Sequence, residues 1–134
     1  YGSEFHQPYF DHMEKLHPDL VKMDKVKSGI CHFMTFQKKY ILELFNLVES
    51  YHNGMEFWKV FLLNVARENI LYSGASEYEI YFNFMLKYHR DKMIIKKFKW
   101  VSPYKLNSFH YKLFDYVAIH WHKGEDNINY ALKK

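Results

Sequence analysis

Cysteine pairs, arginine clusters and long apolar runs are missing from this sequence. The single Cys31 excludes an internal disulfide, and the lack of pairs points to a reducing compartment such as the cytoplasm. Arginine occurs only as Arg67 and Arg90, so the net charge of +4 rests on lysines spread along the chain. Nucleic-acid readers concentrate basic residues on one face and use arginine forks for phosphates and bases, so nucleic acid is not an expected partner. No apolar run approaches the roughly 20 residues that cross a bilayer, so no transmembrane segment is expected, and no charged-then-apolar leader opens the chain. What is present is apolar and aromatic. At 49% apolar and 20% aromatic residues the chain is not of a disordered or low-complexity class, and 134 residues suit one domain, 1–134, with a continuous core. The first residue is Tyr1 and not Met, which reads as a piece of a longer protein.

The apolar spacing predicts a first helix over Tyr9–Leu16, stopped by Pro18 and followed by an exposed connector, Asp19–Lys27. Ser28-Gly29 punctuates before Ile30–Phe36, a short run with the look of a buried strand. From Gln37 the period lengthens. Tyr40, Ile41, Leu44, Phe45 and Val48 form a helical stripe that ends near Tyr51, before Asn53-Gly54. A further helix is expected over Met55–Ala66. Ser76 with Glu79 three positions on is a capping box, predicting a helix over Glu77–Tyr88. Met93–Val101 and Phe114–Trp121 alternate as strands do, the first with a solvated lysine edge. Helices between strands imply an α/β arrangement, a few-stranded mixed sheet packed with about three to four helices. So thin a sheet would leave an exposed edge open to self-association.

Three constellations could carry chemistry. In Ser73-Gly74-Ala75-Ser76-Glu77-Tyr78-Glu79, small residues allow close backbone approach and a helix N-terminus presents unpaired N–H groups. Glu77 in its first turn could take a proton from a hydroxyl; equally, Ser76 and Glu79 could simply cap, and Glu77 favour the positive helix end. In His120-Trp121-His122, strand alternation puts both imidazoles on one face, able to reach one metal or one diphosphate, with Glu125 and Asp126 close in sequence. Two histidines alone do not define a metal site. In Ser28-Gly29-Ile30-Cys31-His32-Phe33-Met34, the glycine marks a tight bend or a close approach. Cys31 beside His32 is a poor nucleophilic pair, because neighbours in a strand face opposite ways. Trp58, Tyr78, Tyr81 and Trp100 could stack on sugar faces or fill the core.

Taken together, Phe5-His6-Gln7-Pro8-Tyr9-Phe10-Asp11-His12-Met13, Ser28–Met34, Ser73–Tyr81 and Asp115-Tyr116-Val117 leading into His120-Trp121 resemble a glycosyltransferase family of bacteria and giant viruses, described mostly as a domain of unknown function. The resemblance covers nearly the whole chain, in order. By analogy with the broader GT-A fold it implies the C-terminal, acceptor-side half of a nucleotide-sugar glycosyltransferase. Glu77 then looks like the acidic helix-start residue that acts as catalytic base. Gly29 looks like the glycine loop, with Cys31, His32, Ser76, Tyr78 and Glu79 lining the substrate. His120 looks like the C-terminal metal or diphosphate ligand, with His122 in its place if the register differs by two. The implied cofactor is Mn²⁺ or Mg²⁺, and the implied partners are a nucleotide-sugar donor and a glycan or other hydroxyl acceptor. The Asp-x-Asp metal motif of such enzymes does not occur in these residues. A non-catalytic binding or assembly module is the alternative.

Overall fold

The computed structural model describes residues 1–31, 33–103 and 107–118. The chain divides into two compact units, 1–95 and 96–134. Among the described residues there are five α-helices and one two-stranded parallel sheet, so the α/β class holds at this coarse level.

The first unit is built on four helices: α1 (Gln7–Leu16), α2 (Lys38–Tyr51), α3 (Phe57–Leu63) and α4 (Glu77–Tyr88). α1 begins with Pro8 in its first turn, where a missing N–H costs nothing. It buries Phe10, Met13 and Leu16 against Tyr40, Leu44 and Val48 of α2, Val60 of α3, and Ile80, Tyr81, Phe84 and Met85 of α4. α4 is the central element, buried without a break from Glu79 to Met85. α2 closes at Asn53 and Gly54, both in the left-handed region (φ 56° and 81°), as the Asn-Gly pair predicts. α3 is shorter than the expected Met55–Ala66. Its first N–H, on Phe57, is taken by Glu49 of α2 at 2.8 Å, and the Asn64 side chain donates to the Val60 carbonyl and closes the last turn. One 3₁₀ turn over Arg67–Asn69 follows. No described helix is long and apolar enough to cross a membrane.

One strand expectation fails and another holds only at its end, Trp100–Val101. Around 28–37 several backbone donors are taken by side chains, two of them on α4. Gly29 N–H goes to Glu79, Ile30 N–H to the Ser28 hydroxyl, and Gln37 N–H to the Tyr81 hydroxyl. Beyond the Gly2–Ser28 bridge at its head, no strand lies beside this segment among the described residues, and Phe33 stands 65% exposed. Across Met93–Val101 only Trp100–Val101 is strand among the described residues; Arg90–Lys92 is a 3₁₀ turn and Ile94 is 84% exposed. An alternating pattern makes a strand only where another backbone lies alongside.

The second unit is a short β-α-β. Strand β1 (Trp100–Val101) pairs in parallel with β2 (Tyr116–Val117), Trp100 opposite Tyr116. A parallel pair needs a crossover, which α5 (Ser108–Leu113) supplies. Asn107 caps α5 by accepting from the Phe109 and His110 N–H groups, while the His110 ring accepts from the Asn107 N–H. Of the expected strand Phe114–Trp121, residues 119–121 lie outside the described residues.

His12, fully buried on α1, links that helix to α3. Its Nε2–H donates to the Phe61 carbonyl at 2.8 Å and its ring meets the Phe61 ring edge-on, while Nδ1 is buried with no hydrogen-bond partner among the described residues. Protonation would put an N–H on Nδ1 with nothing to receive it. Burial accordingly holds the His12 imidazole below its ordinary value of 6.5, against the Phe61 hydrogen bond and with a smaller push from Lys15. The folded state thus binds the proton less readily than the unfolded chain. This contribution to stability is present above about pH 6.5 and is lost as pH falls below it. A urea midpoint that declines from pH 7.5 to 5.5, with a shallower decline in His12→Gln, is the expected result. Equal slopes in the two proteins would remove His12 from the explanation, leaving His17, whose imidazole burial also lowers.

Candidate functional site

Glu79 organises the start of α4. Its carboxylate is buried and accepts from the Ser28 hydroxyl (2.8 Å), the Gly29 N–H (2.7 Å) and the Asn83 side-chain amide (3.1 Å), with the Lys22 ammonium 3.5 Å away. Asn83, one turn further on, also donates to the Glu79 carbonyl and accepts the Met23 N–H at 2.7 Å. One carboxylate and one amide on the same helix face thus fasten the connector 20–29 to α4. Within that connector Asp24 accepts from the Val26 and Lys27 N–H groups and the Lys27 ammonium. Those bonds, the Lys27 ammonium first, hold the Asp24 carboxyl well below the usual carboxylate range.

The capping box is half realised. Ser76 accepts the Glu79 N–H at 3.3 Å, but the Glu79 side chain turns away from the Ser76 backbone to the connector. The loop ahead of the helix is fixed as well. Ser73 sits at φ 59°, its carbonyl accepts from the His6 ring at 3.0 Å, and Gly74 is buried. A Cβ at Gly74 would come within 2.8 Å of Val65 and 2.9 Å of Asn69. The close approach expected of these small residues is therefore met inside the protein.

Gly29 behaves likewise. A Cβ there would lie 2.5 Å from the Tyr78 carbonyl oxygen and 2.6 Å from the Phe82 Cβ, so the connector backbone rests directly on the first turn of α4. Gly29→Ala is expected to cost roughly 1–3 kcal/mol, because the Tyr78 carbonyl and the Phe82 Cβ are fixed by the helix and cannot step aside. A urea midpoint unchanged in that variant would show the connector free to shift.

Glu77 is exposed, and among the described residues no hydrogen bond or ion pair engages its carboxylate. Tyr78 is half-buried with its ring edge against Phe36. Cys31 is half-buried, its thiol donating to the Phe33 carbonyl at 3.1 Å. Its segment is coil, so strand alternation does not govern which way its neighbours point. His32, His120, His122, Glu125 and Asp126 lie outside the described residues. Among the described residues no three His, Cys, Asp or Glu side chains group to hold a metal ion.

Two parts of this region were not singled out in the sequence: Lys22 and Asn83. Asn83 had a signal. It is a lone amide between Phe82 and Phe84 in a strongly apolar helix, four residues after Glu79, and a polar residue in such a place needs a partner. No protein-family model, curated protein or solved structure matches the chain.

Proposed function

We propose that the chain is the acceptor-side half of a GT-A-type glycosyltransferase, moving a sugar from a nucleotide-sugar donor to an acceptor hydroxyl in the intact protein. One observation supports this above the rest: the first three segments of the family resemblance meet at the start of α4. His6 bonds Ser73; Ser28 and Gly29 bond Glu79; Gly29 rests on Tyr78. Segments about 50–70 residues apart in sequence converge on a helix N-terminus whose one outward carboxylate is Glu77. Glu79, Ser76 and Gly29 then frame the site and leave Glu77 to face solvent. In an inverting transfer, Glu77 would accept the acceptor's hydroxyl proton as that oxygen attacks the anomeric carbon and the nucleoside diphosphate leaves. His120 or His122 would hold the Mn²⁺ or Mg²⁺ that neutralises the departing diphosphate.

Nucleoside diphosphate release from a panel of nucleotide sugars with Mn²⁺ tests the proposal in the intact protein. One preferred donor is expected; release from none would overturn it. These residues contain no Asp-x-Asp, so alone they are expected to bind uridine diphosphate and Mn²⁺ weakly. Micromolar calorimetric binding by this chain would overturn the assignment of donor binding to other residues.

A second reading, a binding or assembly module, has its own support. Trp58, Leu62 and Leu63 of α3 and the following Ile70, Leu71 and Tyr72 are all exposed, Leu71 by 86%. Apolar side chains left outward in such number suit contact with another molecule. The two readings part at Glu77, which a purely structural module does not need.

A further inference from the structure

The net charge is carried by one unit. Residues 96–134 hold eight lysines against three acids, a balance of +5, whereas 1–95 hold eleven basic residues against twelve acids, a balance of −1. Within the second unit an open cleft of about 580 Å³ is lined by Lys97, Phe98, Lys99, Trp100 and Phe114. Trp100 lies parallel to Tyr116, 6° between planes with centroids 6.1 Å apart, so the sheet fixes the indole's orientation. No carboxylate among the described residues pairs with the Lys97 or Lys99 ammonium. The acid at hand, Asp115, accepts the Lys99 backbone N–H at 2.7 Å.

We infer that this cleft binds an anionic saccharide: ring faces lie on Trp100 and Phe98, and a carboxylate or phosphate lies between Lys97 and Lys99. The choice of a saccharide rests on the transferase reading above and names the class of acceptor. Two ammonium groups with no carboxylate partner among the described residues, beside aromatic rings, call for a ligand that is negative at one end and offers a flat, weakly polar face at the other. A nucleic-acid strand fits less well. The unit has no arginine, and a compact cleft differs from a basic groove tracking a backbone.

Calorimetric titration of the full chain with four probes tests this: a glucuronate-containing disaccharide, mannose 6-phosphate, neutral N-acetyllactosamine and an eight-residue oligothymidylate. At least one charged sugar is expected to bind roughly tenfold tighter than the neutral one, about 1.4 kcal/mol. The carboxylate and phosphate arms show which anion is preferred. Lys97→Gln with Lys99→Gln should erase that difference, and these exposed positions leave folding intact, checked by circular dichroism. Trp100→Leu should weaken charged and neutral sugars alike. Equal binding of neutral and charged sugars, tighter binding of oligothymidylate, or no saccharide binding at millimolar concentration would overturn the inference. Saccharide binding without donor turnover in the intact protein would sink the transferase reading and leave the cleft. Turnover with no saccharide bound would sink the cleft alone.

Discussion

Glu79→Ala is expected to lower the unfolding free energy by about 3–5 kcal/mol, the cost of removing one partner from a buried, hydrogen-bonded charge pair. The loss is large because four donors depend on one carboxylate. Without it the Ser28 hydroxyl, the Gly29 N–H and the Asn83 amide lose a buried acceptor, and the Lys22 ammonium, itself mostly buried, loses its counter-charge. Glu79→Gln keeps one acceptor oxygen but turns a donor toward groups that are themselves donors, so it should fall between Ala and wild type. Total stabilities of small domains are about 5–15 kcal/mol, so the Ala variant is expected to be partly unfolded near 37 °C. Glu77→Ala, two residues away and exposed, should shift stability by no more than about 1 kcal/mol, through the helix end alone. Urea unfolding of the three variants decides it. If Glu79→Ala unfolds at the midpoint of Glu77→Ala, Glu79 does not hold the connector.

That contrast between two glutamates marks how far the sequence could be read. The stripes Tyr40-Leu44-Val48 and Phe10-Met13-Leu16, bounded by Pro18 and Asn53-Gly54, identified α1 and α2, because helical period and stop signals are both local. Ser76 identified the start of α4 for the same reason. The other half of the capping box was not legible. Glu79 had two sets of donors to choose from, and the set that won lies 50 residues upstream at Ser28 and Gly29. Strands are illegible in the same sense. Ile30–Phe36 and Met93–Lys99 carry strand-like composition, but a strand exists only opposite a partner, and the partner is not written nearby. Gly29 was legible as a place of close approach, though what approaches is α4 itself. The histidines read as ligands, His120 and His122, fall outside the described residues.

Under the transferase proposal, Glu77→Gln in the intact protein is expected to lower kcat by roughly 10²–10⁴-fold, the usual worth of a positioned general base. Glutamine keeps the size and one oxygen of the side chain but cannot take a proton, so donor affinity should move by no more than about twofold. The protein should also stay within about 1 kcal/mol of wild-type stability, since only the helix end feels the lost charge and no hydrogen bond or ion pair among the described residues engages the Glu77 carboxylate. This separates three roles that a simple loss of activity would merge. A lower kcat with intact donor binding and intact stability is what a base predicts. A higher KM with unchanged kcat would make Glu77 a substrate contact and not a base. Unchanged turnover would leave the binding or assembly module as the better account, because that role requires nothing of a solvent-facing carboxylate at the head of α4. Glu79→Gln supplies the control: its activity should fall together with its stability and recover on cooling, whereas a missing base is not restored by any temperature at which the fold is intact.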